Sequence, residues 1–210
     1  MSRITIAPIV EGYGEDGAVR DLLWRTWTEI VGGEHAEVLR PIRRSRGKFL
    51  KVSEEDVEKA VGLAALKMKQ ENAEHGLILI LVDAEDDCAK MGPLGPLLLE
   101  RARQARGDMD IACVIANVMY ETWFVAAAES LGEFLELAPG EIVPADPETV
   151  RAGKGWIKQH MKRRHYSETA DQPSLTVKMD LGLCRAKSKS FDKLCRELEK
   201  RFRRMANSIG

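Results

Sequence analysis

The sequence predicts an α/β protein with a mainly parallel sheet flanked by helices and a basic, mostly helical C-terminal extension. Three observations carry this. Short apolar runs rich in β-branched residues alternate with stretches of helical period up to about residue 130. Residues 77–82 (LILILV) are six consecutive apolar residues, as expected of a strand buried on both faces at the centre of a parallel sheet. Beyond residue 150 the pattern turns helical and basic: residues 151–210 hold 16 of the 32 Lys and Arg but 6 of the 33 Asp and Glu. Residues 1–135 are read as the α/β domain and 136–210 as the extension packed on it.

The first strand is residues 4–10, broken by Glu11-Gly12-Tyr13-Gly14-Glu15, whose glycines permit a tight turn. From Asp16 the period is helical, with Val19, Leu22, Leu23, Trp27, Ile30 and Val31 on one face, and Gly32-Gly33 end it. A second strand covers residues 36–42, followed by a basic loop at 43–48 (RRSRGK). Ser53 and Asp56 resemble a capping box for a helix that buries Val57, Val61, Ala64 and Met68, with Gly76 closing the segment. The strand at 77–82 runs straight into Asp83-Ala84-Glu85-Asp86-Asp87. Gly92-Pro93 and Gly95-Pro96 mark a turn before a helix at about 97–106. Residues 111–116 form another buried strand and 121–129 a helix. Pro139, Gly140, Pro144 and Pro147 belong to a connector. A basic helix spans 148–164, and the last helix aligns Phe191, Leu194, Cys195, Leu198, Phe202 and Met205.

Several function classes are excluded. No apolar run approaches the ~18–20 residues of a spanning helix, and residues 1–10 lack the pattern of a signal peptide. The expected location is cytoplasmic, with no membrane. Cys88, Cys113, Cys184 and Cys195 form no C-x-x-C pair and read as reduced apolar fillers. His35, His75, His160 and His165 read as surface residues. Nucleotide-binding, dinucleotide, serine-hydrolase and zinc-protease motifs are all missing.

The acids are more informative. Parallel α/β sheets gather functional groups beyond the carboxyl ends of their strands. Glu11 ends the first strand there; Asp83, Glu85, Asp86 and Asp87 end the most buried one. If the two strands are neighbours, these carboxylates converge, and their repulsion raises their pKa values unless a cation neutralises them. Oxygen ligands of this kind suit Mg²⁺ or Mn²⁺. Strand alternation places Asp83, Glu85 and Asp87 on one side and Asp86 on the other. Asp83 and Glu85 are therefore the favoured pair, with Asp87 and Glu15 next; the alternative is that such acids cap a helix or face solvent. Glu121 either favours its helix N-terminus or supports the metal site from behind, and Trp123 reads as core. Basic residues cluster at 43–48, 158–164 and 185–204, where Arg44, Lys48, Arg163 and Arg185 either grip phosphate or are simply solvated. No aromatic alternates with them in the manner of single-strand binders.

The stretches "IVEGYGE" and "LILVDAEDD" resemble the TOPRIM domain of topoisomerases, primases and the overcoming-lysogenization-defect nucleases. The chain is more closely similar to a bacterial TOPRIM-like family of unknown function, thought of as partners of ATPases in defence or repair loci. That likeness extends to "YETWF" (Tyr120 to Phe124), "HYSETADQPSL" (His165 to Leu175) and "SKSF" (Ser188 to Phe191). It implies that Glu11 is a general acid/base or metal-site carboxylate and that Asp83 and Glu85 take the place of the D-x-D metal ligands, with Glu for the second Asp. Ala126, Ala127 and Ala128 stand where relatives carry an acid. The implied function is a Mg²⁺- or Mn²⁺-dependent nuclease acting on DNA or RNA; the alternative is a non-catalytic partner of an ATPase, or a nucleic-acid-binding module.

Overall fold

The computed structural model describes residues 3–45, 47, 55–85, 93–150, 153–162 and 165–208. Its strands are β1 (Ile4–Val10), β2 (Ala36–Val38), β3 (Ile42–Arg43), β4 (His75–Asp83) and β5 (Ile111–Ala116). All are parallel, in the order β2-β1-β4-β5. β4 pairs with β1 from Ile4–His75 to Val10–Leu81, so β3, which also pairs with β1, continues along the edge that β2 begins. The fold is α/β with a mainly parallel sheet flanked by helices, as the sequence predicts.

The strand expected at 36–42 arrives in two pieces, and the register explains why. Ile6 faces Val38 and Ile9 faces Ile42, so three steps on β1 are matched by four on its partner. One extra residue is accommodated between Val38 and Ile42, a bulge at a point where Pro41 has no N–H to offer. Side chains change face across it: Val38 packs with Ile4 and Ile6 on one side of the sheet, Ile42 with Ala7 and Ile9 on the other.

The first face is covered by α1 (Tyr13–Arg25) and its π-helical continuation Thr26–Val31, by α4 (Glu121–Ala126), and by helices from the C-terminal third. The second is covered by α2 (Asp56–Gln70) and α3 (Leu94–Ala105). The C-terminal helices are α5 (Gly153–His160), α6 (Glu168–Lys178), α7 (Leu181–Lys187) and α8 (Lys189–Ser208). Leu175, Phe191, Leu194 and Leu198 share one apolar cluster with Ile6, Leu79 and Val114, so this third of the chain supplies much of one layer of the core. Trp123 is buried there and donates its Nε1–H to Ser190 Oγ at 2.9 Å. Cys113, Cys184 and Cys195 are buried and free, and burial pushes the Cys113 thiol up to about 12.

Other boundaries differ from the sequence pattern for physical reasons. α1 begins at Tyr13, ahead of the apolar period, because Gly14 and Glu15 form its first turn. α3 begins at Leu94, which puts Pro96 in the first turn, where a missing N–H costs little. Between 148 and 164, where the sequence suggests one basic helix, the chain forms a 3-10 turn at Pro147–Thr149 and then α5. The Asp146 carboxylate caps that turn through the Glu148 N–H. Glu148 itself accepts from Asn117 Nδ2 (2.7 Å), Ser188 Oγ (2.8 Å) and the Ser190 N–H (2.7 Å). The polar, proline-bearing α6 has no counterpart in the sequence pattern. It lies along α1 over Gly14 and Gly17, and Arg25 clamps its end by donating to the carbonyls of Thr176 (2.7 Å) and Met179 (2.9 Å).

Part of the basic C-terminal third is paired with the acidic front. Lys187 contacts Glu129 at 2.8 Å, Lys178 contacts Glu133 at 3.7 Å and Arg201 contacts Asp110 at 2.6 Å. These pairs neutralise some of the charge asymmetry within the molecule. His160 is not the plain surface residue its sequence context suggests: it stacks on Trp156 and contacts Glu141 at 2.7 Å. Among the described residues no helix is long and apolar enough to cross a membrane.

Candidate active site

Because β1 and β4 pair in register to Val10 and Leu81, Glu11 and Asp83 emerge side by side at the carboxyl edge. Asp83 continues the alternation of Leu77, Leu79 and Leu81, which face α1. It is 7 % exposed. α1 carries Glu15 into the same region, and α4, which follows closely on β5, brings the fully buried Glu121. Burial, then the neighbouring charges of Glu15, Glu11 and Glu121, hold the Asp83 carboxyl well above the usual carboxylate range, with Lys154 opposing them. Glu15 is raised too, first by burial and further by Glu121, against backbone hydrogen bonds and Lys154.

The surrounding hydrogen bonds fix the geometry. Tyr166 donates its O–H to Glu121 Oε1 at 2.8 Å, and Gln172 Nε2 donates to the same oxygen at 3.1 Å. Among the described residues, three buried oxygens of this region have no hydrogen-bond partner: Glu121 Oε2, Glu15 Oε2 and Gln172 Oε1. A Cβ on Gly12 would overlap Glu15 Oε2, and one on Gly14 would overlap Gln172 Oε1. Neither glycine adopts a positive φ. Their role is therefore room for the two oxygens rather than the tight turn that their spacing suggests. Lys154 sits 2.9 Å from Glu168 Oε1. Burial works against its ammonium, but Glu168, Glu121 and Asp83 outweigh this and raise its pKa.

The sequence-derived residues fall into three groups. Glu11, Glu15, Asp83 and Glu121 come together. Glu85 lies beyond the strand, which ends at Asp83; it is exposed at φ 44° with its N–H on the Val118 carbonyl at 2.8 Å. Alternation along an extended strand cannot reach a residue in the left-handed region. Arg44 lies at the same sheet edge, its N–H on the Val10 carbonyl at 2.9 Å and its guanidinium 3.8 Å from Asp56. Arg185 is engaged by Asp192 at 3.0 Å and Glu199 at 2.6 Å, which raises its pKa. Asp87, Lys48 and Arg163, like Asp86, Cys88 and Ser53, lie outside the described residues.

Lys154 escapes sequence reasoning, and Tyr166 and Gln172 enter it only as part of the family-like stretch His165 to Leu175, with no chemistry assigned to them. A local trace of Gln172 is Gly14, kept small beneath its amide. Buried carboxylate and amide oxygens without a hydrogen-bond partner among the described residues, beside two raised carboxyls, are donors of the type that hard divalent cations take. Among the described residues no group of three or more Asp, Glu, His or Cys side chains is arranged to hold one metal ion. A cation here would accordingly take one or two carboxylates directly and complete its shell with water, the habit of Mg²⁺.

Compared with known proteins, residues 10–199 match a family described as "Domain of unknown function (DUF4276)". No curated protein and no solved structure matches the chain.

Proposed function

The chain belongs to the DUF4276 family, and from the site it carries we propose that it is a TOPRIM-like, divalent-metal-dependent phosphodiesterase acting on DNA or RNA. The observation that carries this reading is the convergence of Glu11, Glu15, Asp83 and Glu121 at the carboxyl ends of parallel strands, where Glu15 Oε2 and Glu121 Oε2 are buried without a hydrogen-bond partner among the described residues. Carboxylates gathered this closely are not placed for stability alone, because each raises the cost of ionising the next. Asp83 and Glu15 would hold Mg²⁺ or Mn²⁺, with Glu121 at its side. When bound, such an ion polarises a phosphate and lowers the pKa of a coordinated water.

The chain's own groups have distinct tasks in this reading. Glu11, partly exposed at the strand end, accepts the proton of the attacking water. Tyr166 and Gln172 hold Glu121 by one oxygen and leave the other turned to the site. The Lys154 ammonium stabilises negative charge developing on the phosphate, and Arg44 at the sheet edge steers the strand. The test is cleavage of labelled DNA and RNA with Mg²⁺ or Mn²⁺ by wild type, Glu11→Gln and Asp83→Asn. Cleavage by wild type and a loss of about a hundredfold or more in both variants is expected; equal activity in all three would remove the mechanism.

A second reading is favoured by Glu85, which turns away from the strand direction, and by the paired state of Arg185. It is a non-catalytic module that keeps the acidic site while binding an ATPase or nucleic acid. Stable wild-type protein that neither cleaves nor gains thermal stability from Mn²⁺ would support it.

A further inference from the structure

Tyr13 is 66 % exposed, yet it stands between the two glycines of the site, two residues from Glu11 and two from Glu15. It belongs to neither apolar cluster, so core packing does not account for it. The guanidinium of Arg43 lies over its ring, 3.8 Å from the centroid. The two residues are distant in the chain and come from different elements, the start of α1 and the end of β3. They meet because Arg43 pairs with Val10 at the carboxyl end of β1, beside the turn that carries Tyr13.

We propose that Tyr13 and Arg43 form a stacking platform for an unpaired nucleobase at the mouth of the acidic site, which makes single-stranded nucleic acid the substrate class. An exposed aromatic ring offers any base a π-face, and stacking of this kind tolerates all sequences. A guanidinium laid on the ring holds it in one orientation and keeps its N–H edges available for phosphate oxygens. Arg44 adds positive charge next to it. Bases of a duplex are already stacked on one another and would have to leave the helix first. The place of the platform beside a reactive phosphate rests on the phosphodiesterase reading; the binding itself does not.

The experiment is fluorescence anisotropy in EDTA, where no metal-dependent turnover takes place. Three probes of matched length are compared: a fluorescein-labelled oligothymidylate, an abasic strand of the same charge, and a duplex. Wild type is expected to bind the thymidylate about tenfold more tightly than the abasic strand, and more tightly than the duplex. Tyr13→Ala abolishes that preference and Tyr13→Trp keeps it. Equal affinity of wild type for thymidylate and abasic strands, a preference that survives Tyr13→Ala, tighter binding of duplex, or no binding at all would each overturn the platform. Failure of the phosphodiesterase reading has a different signature: wild type would show the base preference in EDTA and still leave the strand uncut with Mn²⁺.

Discussion

Replacing Asp83 by Asn should stabilise the metal-free protein, and the gain should depend on pH. Asp83 is almost fully buried near the carboxylates of Glu15, Glu11 and Glu121, with Lys154 opposing them. Because its pKa is raised in the folded state, the folded protein binds more protons than the unfolded chain above the ordinary carboxylate range. Stability therefore falls as pH rises through the folded pKa. Asparagine keeps the shape and removes the charge. Relieving a buried group of this kind is worth about 1–3 kcal/mol, and a chain of 210 residues shifts by roughly 2–4 °C per kcal/mol. Thermal melts in EDTA at pH 8 should thus place Asp83→Asn about 2–12 °C above wild type. The difference should shrink as the pH falls toward the ordinary carboxylate range, where a raised folded-state pKa no longer costs stability. Mn²⁺ at a hundred times its Kd should raise wild type by about 2.7 kcal/mol and leave the variant nearly unmoved. A variant that melts below wild type at pH 8, or a gain that does not diminish with acid, would contradict the idea that Asp83 is held as a costly buried charge.

Three further outcomes follow from the same geometry. Gly12→Ala pushes only the flexible end of Glu15 aside, so Tm in EDTA should change little while the Mn²⁺-induced shift falls by half or more; paired melts with and without Mn²⁺ check this. Tyr166→Phe removes one of the two donors to Glu121 Oε1 and should cost about 1–2 kcal/mol in urea unfolding, with weakened Mn²⁺ stabilisation. Arg201→Ala removes a buried guanidinium from the partly exposed Asp110 and Glu197 and should cost about 1–3 kcal/mol in the same assay, without altering Mn²⁺ binding per folded molecule.

The sheet is legible in the sequence because its strands are apolar on both faces, and a run such as residues 77–82 fits little besides a strand buried on both sides. Glu11 and Asp83 converge only if β1 and β4 are neighbours, and the register makes them so. α6 is hidden by its composition. Asp171, Gln172 and Thr176 are buried, so its inward face carries polar groups that bond to the site and to its own first turn instead of an apolar stripe. In the site, Glu11 and Asp83 can be found from strand ends alone. Alternation overreaches at Glu85, because it presumes an extended backbone and the strand stops two residues earlier. Tyr166 and Gln172 reach Glu121 across 45 and 51 residues, a relation no local period encodes.

The extra residue between Val38 and Ile42 acts as a phase shifter for the sheet's edge. If the pairing ran on unbroken from Val38, Ile42 would face Val10 and Arg43 would turn to the opposite side, away from Tyr13. What the rim of the site displays is therefore decided by where the chain takes up its slack, in a segment that contributes no group to the site. Moving that slack past Arg43 would swap the displayed set wholesale while leaving Glu11, Asp83 and Glu121 untouched. Along such an edge, grip can be re-specified by shifting one residue of slack, with the acidic centre held constant.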